Sequence, residues 1–212
     1  MYMPTFLERT PSGERETNPY SMLFDGRIVI IDRPVDDTTS NAVVAQLLCL
    51  EGMDPDNPIE LYVMSYPPRP SSVGPSVPFN AAGGTLAATA AVYDTIQYVR
   101  CPVYTTCLGH VETSGALLVA AGEPGHRAMV PHARAVLHQP TLDAVRGTLP
   151  DLDRRATEVT RMRTFVEETL ARHTRRDVDQ VHVDIDRELH LGADEALAYG
   201  LVDAVVPSRK RR

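Results

Sequence analysis

No run of apolar residues in this chain approaches the length of a membrane-spanning helix, so a helical membrane protein is not expected. The opening stretch, MYMPTFLERTPSGERETNPY, is polar with mixed charge and has no apolar h-region, so it does not read as a signal peptide. Cysteine is scarce. Cys49, Cys101 and Cys107 lie in apolar contexts without metal-ligand spacing, which predicts reduced core thiols rather than a disulfide framework or a zinc site. A cytoplasmic location is the expectation that follows. The seven histidines form no His-x-x-x-His or similar pattern, so neither a metal nor another cofactor is expected. Positive charge is also in deficit: a net charge of -7 argues against general nucleic-acid binding, and the closing Arg-Lys-Arg-Arg, residues 209–212, reads as a solvated basic tail.

What is present is enough for one substantial core, since 212 residues at 43% hydrophobic predict a single domain. Residues 1–20 carry Pro, Gly, Ser and charge with little periodicity and read as a flexible arm. Arg27–Ile31 reads as a buried strand. A helix is predicted over Asn41–Glu51, with Val44, Leu47 and Leu48 on one face and acidic residues before it that favour its macrodipole. A second strand follows at Ile59–Met64, then a Pro- and Ser-rich segment over residues 64–79, then an amphipathic helix over Thr85–Tyr98. Pro150 suits the first position of a long helix, Asp151–His173, whose buried seam is Val159, Met162, Val166 and Leu170. A last helix, Ala193–Tyr199, ends at Gly200. Strands alternating with helices make the fold class α/β.

The stretch Cys107–Pro140 carries the chemistry. A β-rich run, Val103–Leu108, breaks at Gly109. Ser114–Ala121 is small and apolar and suits a buried helix, whose N-terminus presents free N–H groups to the preceding turn. A short strand, Ala135–Leu137, then delivers His138. Strand, sharp turn, buried helix and a returning strand with a histidine is one way to bring a hydroxyl nucleophile to its base. The same pattern also fits a packing helix beside a core histidine.

The stretch resembles the catalytic segment of the proteolytic subunits of ATP-dependent Clp proteases, whose pattern runs Gly-Gln-Ala-Ala-Ser-Met-Gly-Ala and ends in Ile-His-Gln-Pro. Here the corresponding residues are Gly109-His110-Val111-Glu112-Thr113-Ser114-Gly115-Ala116 and Leu137-His138-Gln139-Pro140. Similarity continues through Asn80-Ala81-Ala82-Gly83-Gly84 and through the closing Glu195-Ala196 and Tyr199-Gly200-Leu201-Val202-Asp203. The resemblance implies the ClpP/crotonase-like superfold of repeated ββα units, with a protruding strand-helix handle at 141–173 and a folded domain over 21–207. It also implies heptameric rings stacked as a tetradecamer with other Clp proteolytic subunits, an AAA+ ATPase partner and an unfolded polypeptide substrate. Residue by residue, it puts the nucleophile position on Thr113, the general base on His138 and the triad acid on Glu188. The oxyanion donors fall on the backbone N–H groups of Gly84 and Ser114. The unfoldase-docking pockets fall on Tyr62, Tyr98 and Val206, with Glu60 where an aromatic is common, so weakened docking is expected.

Two of the three triad positions depart from the family, which has serine and aspartate there. Threonine's extra methyl restricts χ1 in a tight turn. Glutamate is longer by about 1.5 Å, and misplacement by about 1 Å can cost on the order of 100-fold. Glu112 adds a carboxylate where the transition state develops negative charge. The resemblance with these departures implies a subunit with little or no peptidase activity, acting as a structural or regulatory ring member. Two alternatives stay open: a working endopeptidase using Thr113 or Ser114 with His138, and a crotonase-like enzyme acting on acyl thioesters. Residues 64–79 sit where the family has a short loop beside Gly84 and are expected to restrict the cleft.

Overall fold

A computed structural model describes residues 4–10, 13–65, 80–81, 84–140 and 147–207 of the 212. In chain order the elements are β1 (Phe6–Thr10), β2 (Gly13–Thr17), α1 (Pro19–Asp25), β3 (Ile28–Ile31), α2 (Asp37–Met53) and β4 (Ile59–Ser65). There follow β5 (Asn80–Ala81), β6 (Gly84–Thr85), α3 (Leu86–Tyr98), β7 (Val103–Val111), α4 (Thr113–Ala120), β8 (Arg127–Met129) and β9 (Arg134–Leu137). The chain closes with α5 (Leu149–Thr174), α6 (Val178–Asp184), β10 (Leu189–Gly192), α7 (Ala193–Tyr199) and β11 (Ala204–Val205). This is the expected α/β class. The proposed insertion beyond Ser65, the first part of the expected handle and the basic tail lie outside the described residues.

Strands β3, β4 and β7 are parallel neighbours, and helices α2 and α3 make the connections between them. Such parallel strands are buried on the helix-covered face, and alternation along β4 buries Ile59, Leu61, Val63 and Ser65 while Glu60, Tyr62 and Met64 stay half-covered. The sheet then forks along β7. Thr105–Cys107 pair with β8, whereas His110 and Val111 pair with Arg134 and Ala135 of β9. Gly109 makes the fork possible, because its φ of 65° lies in the left-handed region that side chains resist. The strand therefore runs through Gly109 to Val111 instead of stopping there. Beyond the fork β11 joins β8 in parallel, and β10 joins β9 antiparallel.

Helix α4 is the centre of the core. All eight of its residues are buried, and it packs against β4, β7, β9, α3 and α5. A helix covered all round must be small and apolar throughout, which SGALLVA provides. Gly115 permits a close approach: a Cβ there would lie 3.0 Å from Ser65 Cβ and 3.1 Å from Val111 Cβ.

Several boundaries move for physical reasons. Within residues 1–20 β1 and β2 pair antiparallel, with Phe6 opposite Thr17 and Thr10 opposite Gly13. Helix α2 starts earlier than predicted because Asp36 caps it, accepting from Thr39 N at 2.7 Å. Its buried face is Val43, Leu47 and Leu50, and Leu48 is exposed. Cys49 is exposed as well, so only Cys101 and Cys107 are core thiols, the latter pushed up to about 12 by burial. Arg27, just before β3, adopts φ 61° and reaches the carbonyls of Leu50, Asp54, Asn57 and Pro58, closing the C-terminal end of α2. Helix α5 begins at Leu149 in a capping box formed by Thr148 and Asp151. Of its predicted seam, Met162, Val166 and Leu170 are buried, and Val159 is half-buried.

At the far end of α5, His173 accepts from the Tyr93 hydroxyl at 2.9 Å. Burial pushes its pKa down to about 4, with repulsion from Arg127 and Arg172 adding to the effect. Between that value and the ordinary 6.5, the unfolded chain binds a proton that the folded chain does not. Stability is therefore fully present above about 6.5 and is lost as pH falls toward about 4. The melting temperature of the wild type should fall through that window, and His173→Gln should flatten the fall. An unaltered pH profile in the variant would remove His173 as its source.

Candidate active site

The fork in the sheet sets the site. Strand β7 ends at Val111, Glu112 takes the N-cap position with extended backbone, and Thr113 opens α4. The end of β9 runs alongside, so Thr113 and His138 meet across the gap. They do not meet as nucleophile and base. The Thr113 hydroxyl donates to the His138 carbonyl at 3.0 Å and accepts from the His138 N–H at 2.9 Å. Both its proton and its lone pair are thus committed to backbone, and Thr113 is fully buried.

The imidazole of His138 faces elsewhere. Its Nδ1 donates to the Gln139 carbonyl at 2.7 Å. Its Nε2 is buried without a hydrogen bond, and the nearest charged atom is Glu112 Oε2 at 3.6 Å. The other oxygen of that carboxylate accepts from His110 Nε2 at 2.7 Å. Glu112 makes no side-chain bond to the first-turn N–H groups of α4, and its carboxylate bonds His110 instead of capping the helix. His110 and Glu112 are two apart at a strand end and share a face. That spacing was the available signal for His110, which the motif comparison passed over.

By register Glu188 stands opposite His138, but its carboxylate bonds elsewhere. The β9–β10 ladder ends at Leu137 opposite Leu189, so both residues lie one step beyond it. The Glu188 side chain is 69% exposed and accepts from His190 Nε2 at 3.2 Å. His190 stands two residues on, on the same face, and offers a solvent-exposed partner in place of His138. Asp184 and Asp186 do not replace it: Asp184 accepts from Tyr199 and Gln180, and the Asp186 side chain is largely exposed. In this arrangement Thr113 and His138 are joined through backbone, and the Glu188 carboxylate bonds His190.

Of the expected oxyanion donors, Ser114 lies in the first turn of α4 with its hydroxyl buried and unbonded. Gly84 lies in β6, which packs against α4, so the two backbone segments are neighbours. The docking residues are more dispersed. Tyr62 shares the half-covered sheet face with Thr106, Ala128 and Ala204 by register, and the Val206 N–H bonds the Met129 carbonyl at the end of the same row. Glu60 lies on that face too, beside Tyr104. Tyr98 ends α3 with 75% exposure. A separate cleft of about 790 Å³ lies between α1, β3 and α2, lined by Tyr20, Phe24, Ile28 and Ile30 among others. Among the described residues no group of three His, Cys, Asp or Glu side chains forms a metal site, and no helix is long and apolar enough to cross a membrane.

A parallel sheet forked at a left-handed glycine, a buried helix opening on a hydroxyl residue, and a histidine at the next strand end are the frame of a Clp-type proteolytic subunit. The family model for Clp protease matches residues 11–67 and 76–209. ATP-dependent Clp protease proteolytic subunit 1 of Corynebacterium diphtheriae is 45% identical over 208 residues, covering 98% of this chain and 92% of its own. A putative ATP-dependent Clp protease proteolytic subunit-like protein of Streptomyces coelicolor is 47% identical over 209 residues, covering 98% and 92%. Proteolytic subunit 2 of Streptomyces coelicolor is 42% identical over 208 residues, covering 98% and 88%. The chain belongs to the Clp protease family.

The Thr113 hydroxyl is a structural tie between α4 and β9. Thr113→Val keeps the volume but leaves a buried N–H and a buried C=O without partners, and should cost about 2–4 kcal/mol. Thr113→Ser keeps both bonds and should stay within about 1 kcal/mol of the parent, the order of one buried methyl group. Urea unfolding at one fixed protein concentration measures both, and equal losses for the two variants would refute the tie.

Proposed function

We propose that this chain is a structural or regulatory subunit of a cytoplasmic Clp protease, silent at its own serine-type site. In this reading it sits in heptameric rings stacked as a tetradecamer with other Clp proteolytic subunits. An AAA+ Clp ATPase feeds unfolded polypeptide to those rings. The observation that carries the proposal is the Thr113 hydroxyl, bonded in both directions to the backbone of His138. A nucleophile must pass its proton to the base, and here that proton points at a carbonyl. General-base assistance contributes about 10²–10⁴-fold in such reactions.

Three further features support silence. His138 Nε2, which would take the proton, lies against Glu112. Glu188 bonds His190 and not His138. The carboxylate of Glu112 stands at the helix end where an oxyanion would form, and negative charge there opposes the charge developing on it. The Gly84 and Ser114 N–H groups remain the assigned oxyanion donors, and the face carrying Tyr62 and Val206, with Tyr98, remains the assigned ATPase contact. Glu60 on that face weakens an apolar contact, since an unpaired charge there costs about 1–3 kcal/mol or more.

A fluorophosphonate probe tests the proposal on the purified protein, alone and mixed with a competent Clp proteolytic subunit. The wild type should show no adduct at Thr113 or Ser114. Combined Glu112→Ala and Thr113→Ser substitution should leave residue 113 unlabelled as well, because the serine hydroxyl keeps both bonds to the His138 backbone. Wild-type labelling at Thr113 or Ser114 that disappears in His138→Ala would overturn silence and favour an active serine/threonine-type endopeptidase.

A further inference from the structure

We infer that Gln139 is the positioning residue of His138, its main-chain carbonyl filling the place of a triad acid. The imidazole Nδ1 lies 2.7 Å from the Gln139 carbonyl oxygen. A carbonyl only accepts, so Nδ1 carries a hydrogen whether the ring is neutral or charged. In the neutral ring this leaves Nε2 bare and fixes both the tautomer and the ring plane.

Gln139 is itself clamped at two points. Its N–H donates to the Ile185 carbonyl at 2.8 Å, and its side-chain amide donates to the Asp186 carbonyl at 3.0 Å. Both acceptors lie in the connector from α6 to β10, where Ile185 is fully buried and closes α6. Helix α6 is fastened in turn to α5. Glu167, a buried carboxylate of α5, accepts from Arg163 Nε at 2.7 Å and from His182 Nδ1 of α6 at 2.8 Å. Arg163 also reaches toward Asp186, with 3.9 Å between the charged atoms. The orientation of the His138 ring thus depends on the seam between α5 and α6 through one glutamine, with no carboxylate in contact with Nδ1.

A neutral carbonyl fixes the direction of an imidazole, but a carboxylate does far more to stabilise the imidazolium that a proton transfer creates. Gln139 therefore gives His138 a fixed direction without the charge support of a triad. This holds whether or not the site turns over, because it concerns the resting ring and not its reaction.

The test is ring-¹⁵N histidine spectroscopy on the full chain in its assembled form, with the His138 signals identified by their loss in His138→Asn. The wild type should show His138 protonated at Nδ1. Gln139→Leu and the isosteric Gln139→Glu, which both remove the donor to Asp186, should convert that single signature to a mixture of tautomers. Glu188→Gln should leave it untouched. A bare Nδ1 in the wild type, an unchanged spectrum in Gln139→Glu, or a shift of the His138 signals in Glu188→Gln would each overturn the assignment. Should a Gln139 variant fail to assemble, the wild-type and Glu188→Gln spectra decide the question alone.

Discussion

Everything near the site depends on the burial of α4 on all sides. A helix with no exposed face has no freedom to rotate or slide, so its first residue is fixed relative to β7, β9 and the end of β4. The fork at Gly109 serves the same end, because it lets one strand hold β8 with its first half and β9 with its last two residues. Position 113 is consequently delivered to the end of β9 whatever side chain it carries. The side chain decides what happens there.

With threonine, the hydroxyl found backbone. That outcome is consistent with a β-branched side chain in a tight turn, where χ1 has few allowed values and the methyl group must be accommodated with the oxygen. The neighbouring charges then fall into place around a ring that no acid holds. Glu112 lies against the bare face of His138 and is shared with His110, while Glu188 pairs with His190 in solvent. A surface ion pair of that kind contributes about 0–1 kcal/mol.

Much of this was legible in the sequence. The strand–turn–helix–strand order, the buried character of α4 and the adjacency of Thr113 to His138 all followed from periodicity and motif, because those features depend on backbone spacing. The direction of each side chain did not. Motif spacing carried Glu188 onto the acid position, but it could not register that His190, two residues on and on the same face, offers a partner. It likewise could not show that a hydroxyl at 113 would turn to the backbone, or that Arg27 would leave the right-handed region to cap α2. The hairpin within the arm was not legible either, because the arm has no hydrophobic alternation. Polar pairing leaves little trace in a reading built on apolar periodicity.

The contacts around position 113 and His138 are contacts that hold the fold together. The two bonds of Thr113 join α4 to β9, and Gln139 joins β9 to the α6–β10 connector. In a working hydrolase both positions must give up some stability, since a nucleophile cannot be fully bonded at rest and a base must be free to accept a proton. Here neither concession is made. A chain under no demand to turn over substrate can keep the active-site frame, which the buried helix requires for packing, and satisfy its polar groups internally. The family frame persists for a physical reason: it is part of the core, and the side chains at positions 113, 138 and 188 are laid upon it.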